Sequence, residues 1–70
     1  MKIYDFGLLL RELREKRGMT QADVARKLGL KQATISRYEC NTKTPSLASL
    51  KRLALLFGVS SDYLLGLLDR

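Results

Sequence analysis

Apolar residues recur along this chain at spacings of three and four, the period of an α-helix buried along one side. Phe6, Leu9, Leu10 and Leu13 form the first stripe, closed by Met19, while Arg11, Glu12, Arg14, Glu15 and Lys16 fill the opposite face. Asp5 is placed to cap this helix, so that helical dihedrals begin at Phe6. Gly18 ends it, because glycine takes the left-handed conformation that closes a helix at little cost. Val24, Ala25 and Leu28 make a second, shorter stripe that Gly29 stops. Thr20 can cap that helix, and Asp23 stands three residues on, at the capping-box position and near the positive end of the helix dipole. A helix of about ten residues is marginal in isolation and must be held by packing.

Ile35 and Tyr38 are the inward positions of a third helix, Gln32 to Cys40. Lys31 precedes it and is a poor cap, since an ammonium group has no lone pair to offer a free amide. Asn41 follows where a left-handed residue is expected, and asparagine tolerates that conformation best after glycine. Ser46 caps a fourth helix, Leu47 to Phe57, with Leu47, Leu50, Leu53, Ala54 and Phe57 at helical spacing and Gly58 as its stop. Ser60 caps a last helix, Ser61 to Leu68, and Val59 can staple its entry by packing on Leu64. The pattern predicts an all-α fold, a compact five-helix bundle with short connections and no repeat or linker.

Charge adds a direction to this picture. The 70 residues make one domain, which buries only about 60% of the surface its unfolded chain exposes and leaves no room for a large enclosed pocket. Thirteen Lys and Arg against seven Asp and Glu give a net charge of +6, which favours a polyanionic partner. Residues 31–52 carry five basic groups and one acid, whereas residues 53–70 carry one basic group and two acids. An anion-facing side is therefore separate from an apolar packing or association side.

The chemical inventory points away from catalysis. There is no histidine, the single Cys40 has no base to activate it, and Glu12 with Glu15 belongs to a salt-laced helix face. No phosphate-binding loop, metal-ligand cluster or dinucleotide fingerprint is present, so no enzyme activity, cofactor or metal is expected. One cysteine leaves no intrachain disulfide, and the longest apolar runs are too short to cross a bilayer. With no leader pattern, a cytoplasmic location is expected.

Gln21, Ala25, Gly29, Ile35 and the string TISRYE together resemble the Cro/C1-type (XRE-type) helix-turn-helix family of bacterial and phage repressors. The resemblance runs from about Phe6 to Leu65. LRELREKRGMTQADVARKLGL is similar to the family's first two helices, TISRYE to its recognition helix, and PSLASLKRLALLFGVSSDYLL to its last two. The physics of these positions agrees. Two helices crossing at a tight angle need a small residue where their backbones approach, which Ala25 supplies, and the turn needs a tolerant residue, which Gly29 supplies. The chain departs from the family in having Lys31 where Ser or Thr is common, Asn41 where Gly is common, and Cys40 at a position usually polar.

The resemblance implies a lambda-repressor-like DNA-binding domain over residues 1–70 with its helix-turn-helix at 20–40. It places Gln32, Ala33, Ser36 and Arg37 toward the major groove of double-stranded DNA and Gln21 against a phosphate. Gln32 suits adenine N6 and N7, Arg37 suits guanine O6 and N7, Ser36 reaches a base or a phosphate, and Ala33 packs on a thymine methyl. Lys31 has the reach for a phosphate or a base edge. Each of these also reads as an ordinary solvated residue of a surface helix. Thr20 and Gln21 divide between capping and phosphate contact, roles that share the same free amides. Asn41, Thr42, Lys43 and Thr44 form a polar loop able to grip the backbone, and Arg11, Arg14 and Arg17 either join it or only solubilise the first helix.

Glu39, acidic in a basic neighbourhood, is expected to be structural and paired with Arg14 or Arg17. Tyr63, Leu67 and Leu68 exceed what one core face can use, which marks either a cap on the core or an association surface. Family members often pair through this end, which would give a homodimer reading half-sites about 34 Å apart. The expected function is a sequence-specific transcriptional regulator, a repressor on a palindromic operator, with no small-molecule effector detectable in these residues: either a minimal regulator or the DNA-binding part of something longer. The alternative is an antitoxin-like or adaptor module whose helical surface holds a protein.

Overall fold

The computed structural model describes residues 5–66. Among these residues five helices follow one another: α1 (Phe6–Lys16), α2 (Gln21–Leu28), α3 (Gln32–Glu39), α4 (Leu47–Phe57) and α5 (Ser61–Leu64). Among the described residues there is no strand. The starts are those the caps predict. Asp5 accepts from the Leu8 amide, Ser46 from Ser49 and Ser60 from Tyr63. Thr20 and Asp23 form a reciprocal capping box, with the Asp23 amide 3.0 Å from the Thr20 hydroxyl and the Thr20 amide 2.9 Å from the Asp23 carboxylate. Aspartate thus serves in the place usually held by glutamate or glutamine.

Four of the helices close with the same device, a left-handed residue followed by an amide that turns back to the last turn. Gly18, Gly29 and Gly58 hold three of these positions, and Asn41, at φ 60°, holds the fourth. After α3 the Asn41 amide reaches the Tyr38 carbonyl at 3.2 Å and the Thr42 amide reaches Arg37 at 3.0 Å.

The core draws on every helix. Leu10, Val24, Ile35, Leu53 and Leu64 are fully buried, joined by Phe57, Tyr38, Leu28 and Ala25, while Phe6, Met19, Leu30 and Val59 pack against its edge. Fully burying a leucine or isoleucine stabilises by about 1.5–3 kcal/mol, more than helix propensity supplies to segments this short. Helices α2 and α3 make the most extensive pairing, with α1 lying across α3.

Three expectations change. The helices around the turn are shorter than predicted: α2 has eight residues, and α3 ends at Glu39 with Cys40 as its cap. The last helix stops at Leu64, because Gly66 at φ 76° breaks it where the apolar pattern predicts continuation to Leu68. Leu47, counted on the inward stripe, is 66% exposed at the first position of α4. No helix of the described residues is long and apolar enough to cross a membrane.

Candidate nucleic-acid interface

Helix α3 has two faces of different chemistry. Ile35, Tyr38 and Glu39 point inward, and Gln32, Ala33 and Arg37 are exposed, with Ser36 half-buried beside them. Positions i, i+1, i+4 and i+5 share one side of a helix, so all four predicted base-reading residues of α3 fall on a single outward strip. Lys31 precedes it, exposed, and its side chain makes no capping bond. The Thr34 amide turns back to the Lys31 carbonyl at 3.0 Å, so the amides of Gln32 and Ala33 are the ones left to an outside acceptor, at the end where the helix dipole favours negative charge.

The back of the strip is fixed by Glu39. Its side chain is 1% exposed, and Arg14 grips it from α1 with Nε 2.7 Å from Oε2 and Nη2 3.1 Å from Oε1. Gln21 Nε2 donates to Oε1 at 3.1 Å, and Arg11 Nε lies 3.6 Å away. Arg14 also donates to the Met19 carbonyl at 3.0 Å, so one guanidinium ties α1, the α1–α2 loop and α3 together. Burial pushes the Glu39 pKa up, but the hydrogen bonds from Arg14 and Gln21 and the charges of Arg14 and Arg11 outweigh it and leave the carboxyl below its usual value. The same contact raises Arg14. No buried side-chain polar atom among the described residues lacks a partner.

Of the two arginines expected to meet Glu39, Arg14 does and Arg17 does not. Arg17 turns instead to the far end of α4, donating to the Phe57 carbonyl at 2.8 Å with its guanidinium carbon 6.0 Å from the Phe57 ring centre. A cation there meets the negative end of the α4 dipole.

The predicted backbone-gripping residues divide into free and engaged groups. Thr20, Thr42, Lys43 and Thr44 are exposed, and Gln21 is half-buried. Gln21 keeps one N–H beyond the bond to Glu39, and the Thr20 hydroxyl accepts from the Asp23 amide. The Thr42 hydroxyl donates to the Arg37 carbonyl at 3.2 Å. Asn41 differs: its Oδ1 accepts from the Gly7 amide at 2.9 Å and its Nδ2 donates to Asp5 Oδ1 at 2.8 Å. Asp5 is held below its usual value by the Leu8 amide and by Asn41.

Gly7 is the residue that sequence reasoning missed. It is buried where the start of α1 meets the end of α3, and a Cβ added there would overlap the Glu39 carbonyl and come within 2.9 Å of the Tyr38 oxygen. The signal was a lone glycine in the first turn of an otherwise strong helix former, which marks a close backbone approach. Of the residues predicted for association, Tyr63 is half-buried against the core rather than surplus to it, and Leu67 and Leu68 lie outside the described residues. Among the described residues, Leu65, 48% exposed, is the large apolar side chain presented at this end.

The electrostatic outcome follows from these placements. Glu39 is the only acid between residues 31 and 52, and it is turned inside and paired. The outward surface of α3, the following loop and the start of α4 therefore carries only neutral and cationic groups, including Lys31, Arg37, Lys43, Lys51 and Arg52.

Comparison with known proteins gives the family and the fold. The family model described as helix-turn-helix matches residues 10–64. The chain belongs to the Cro/C1-type helix-turn-helix family. It is 42% identical over 60 residues to the HTH-type transcriptional regulator ImmR of Bacillus subtilis, covering 86% of this chain and 47% of that protein. The chain thus spans about half the length of this relative. Among solved structures, the P22 c2 repressor in complex with a synthetic operator superposes with a TM-score of 0.85 at 27% identity, over 89% of this chain and 94% of that one. SinR, a master regulator for biofilm formation, in complex with DNA gives a TM-score of 0.78 at 26% identity, over 86% and 97%.

Proposed function

We propose that this chain is a sequence-specific double-stranded DNA-binding module of a transcriptional regulator, acting as a repressor by occupying an operator. The observation that carries the reading is the segregation on α3: an outward strip without an acid, backed by a carboxylate that is buried and paired. In this mechanism α3 enters the major groove. Gln32, Ser36 and Arg37 select bases, Ala33 meets a thymine methyl, and Lys31 contacts a phosphate or base edge. Gln21, Thr20 and the loop Thr42–Thr44 hold phosphates and supply the sequence-independent part of the affinity. The similarity to the P22 c2 repressor bound to a synthetic operator and to SinR bound to DNA supports DNA as the partner.

Pairing of two copies on a palindromic operator is part of the proposal. It draws on the exposed Leu65 beside the half-buried Tyr63 at the α5 end, with Leu67 and Leu68 following in the sequence. The expected setting is cytoplasmic.

Selection of bound duplexes from a random pool tests the reading. The parent chain is expected to enrich one motif with two-fold symmetry. Gln32→Ala is expected to relax one base preference by about 1–3 kcal/mol, whereas Lys43→Ala weakens all sequences alike and lowers the salt slope by about one. A pool that yields no enriched motif removes operator recognition, and failure to bind duplex at low salt removes the DNA reading.

A further inference from the structure

We propose that Asn41 is a positioning residue for the loop Thr42–Thr44, acting through the start of α1 rather than by touching DNA. This rests on the DNA reading above and concerns the organisation of the same surface. Both polar atoms of the Asn41 carboxamide bond inside the chain, Oδ1 accepting from the Gly7 amide and Nδ2 donating one of its two N–H groups to Asp5. The same Asp5 oxygen accepts from the Leu8 amide at 2.9 Å. A closed clasp thus joins the N-cap and first turn of α1 to the residue at which α3 ends.

The choice of residue type is informative. At the three other helix ends with this geometry the left-handed position is glycine, which takes it without a Cβ penalty. Only after α3 does the chain use asparagine, and only there does the side chain bond to another helix. Asn41 is the first residue of the loop, and Thr42 behind it is held to the Arg37 carbonyl through both its amide and its hydroxyl. The Lys43 and Thr44 side chains that follow are exposed. A loop fixed at its root loses less conformational freedom when it closes on a phosphate, which is preorganisation in its simplest form. The clasp keeps Lys43 aimed, and the cost of asparagine at positive φ is offset by two hydrogen bonds.

The test uses Asn41→Gly, which keeps the backbone geometry and removes only the clasp. Its binding to the selected duplex and to a random duplex of equal length is expected to fall by the same factor, about fivefold at 0.15 M salt, with base preference unchanged. The slope of log K against log salt is expected to shrink by about one, as for loss of one phosphate contact. Lys43→Ala is expected to cost less in the Asn41→Gly background than in the parent, since residues acting as a unit are not additive. Amide exchange at Gly7 reports whether the clasp has opened.

Faster exchange at Gly7 with affinity and salt slope unchanged would overturn the proposal and leave the clasp purely structural. So would a changed base preference, or an undiminished Lys43→Ala effect, either of which would place Asn41 on DNA directly. If the parent chain itself binds no duplex at low salt, the DNA reading falls and the proposal with it. If the parent binds and Asn41→Gly matches it, the proposal alone falls.

Discussion

At its C-terminal end α3 is tied down by a bidentate arginine, a glutamine, a reversed turn and the Asn41 clasp, whereas at its N-terminal end no side chain reaches its first amides. The contrast separates what the fold must hold from what a ligand can complete. The locked end faces the protein, where an unpaired Glu39 or an open carbonyl would be costly. The open end faces outward beside Lys31, where free amides and the helix dipole suit a phosphate. The exposed strip between them inherits its orientation from the locked end.

Breaking the locked end should have the largest effect. Glu39→Ala leaves Arg14 nearly buried without its carboxylate and Gln21 without its acceptor. Unfolding should show a loss of about 3 kcal/mol and a Tm lower by more than about 10 °C. A variant within 1 °C of the parent would mean the network is decorative. The same carboxylate sets an acid limit. Because its folded pKa lies below its unfolded value, its contribution is complete above the ordinary glutamate value of about 4.3 and is lost as pH falls through the folded value. Asp5 and Asp23, also held low, act in the same direction. Stability of Glu39→Gln should therefore fall less steeply than that of the parent between neutral pH and pH 3.

Gly7→Ala comes next, at about 2 kcal/mol, because the added methyl meets main chain that cannot rotate away. Denaturant midpoints check it. An unchanged midpoint would show that α1 withdraws from α3 freely, and the two ends would no longer differ in kind.

Lys31→Ser works on the open end and should have the smallest effect, with opposite sign. A serine there caps α3 and should add about 1 kcal/mol of stability, with slower amide exchange at Thr34, the position three residues after the cap. If Lys31 meets a phosphate, the same variant binds duplex with a salt slope smaller by about one. Equal stability and an equal slope would mean that Lys31 is neither a missing cap nor a contact.

Much of this was legible in the sequence because it is local. Helix starts announce themselves through Asp5, Thr20, Ser46 and Ser60, each within three residues of the amide it serves, and stops through Gly18, Gly29, Asn41 and Gly58. The inward stripe gave Ile35 and Tyr38, and with them the outward strip of Gln32, Ala33, Ser36 and Arg37 by subtraction. The last helix was overdrawn because apolar Leu67 and Leu68 continue a pattern that Gly66 interrupts.

What tertiary structure alone decided is which charged group meets which across the bundle. Arg14 and Arg17 are three residues apart and chemically identical, yet one holds Glu39 and the other caps α4. The link from Asn41 to Asp5 spans 36 positions, and the one to Gly7 spans 34. Periodicity is a property of neighbours along one helix and says nothing about how two helices are turned toward each other. That angle depends on the packing of Ile35 and Tyr38 against α1 and α2, and on Gly7 having no side chain where α1 crosses the end of α3. The sequence by itself determined the helices and the face that α3 shows; the contact at Gly7 decided where that face is held.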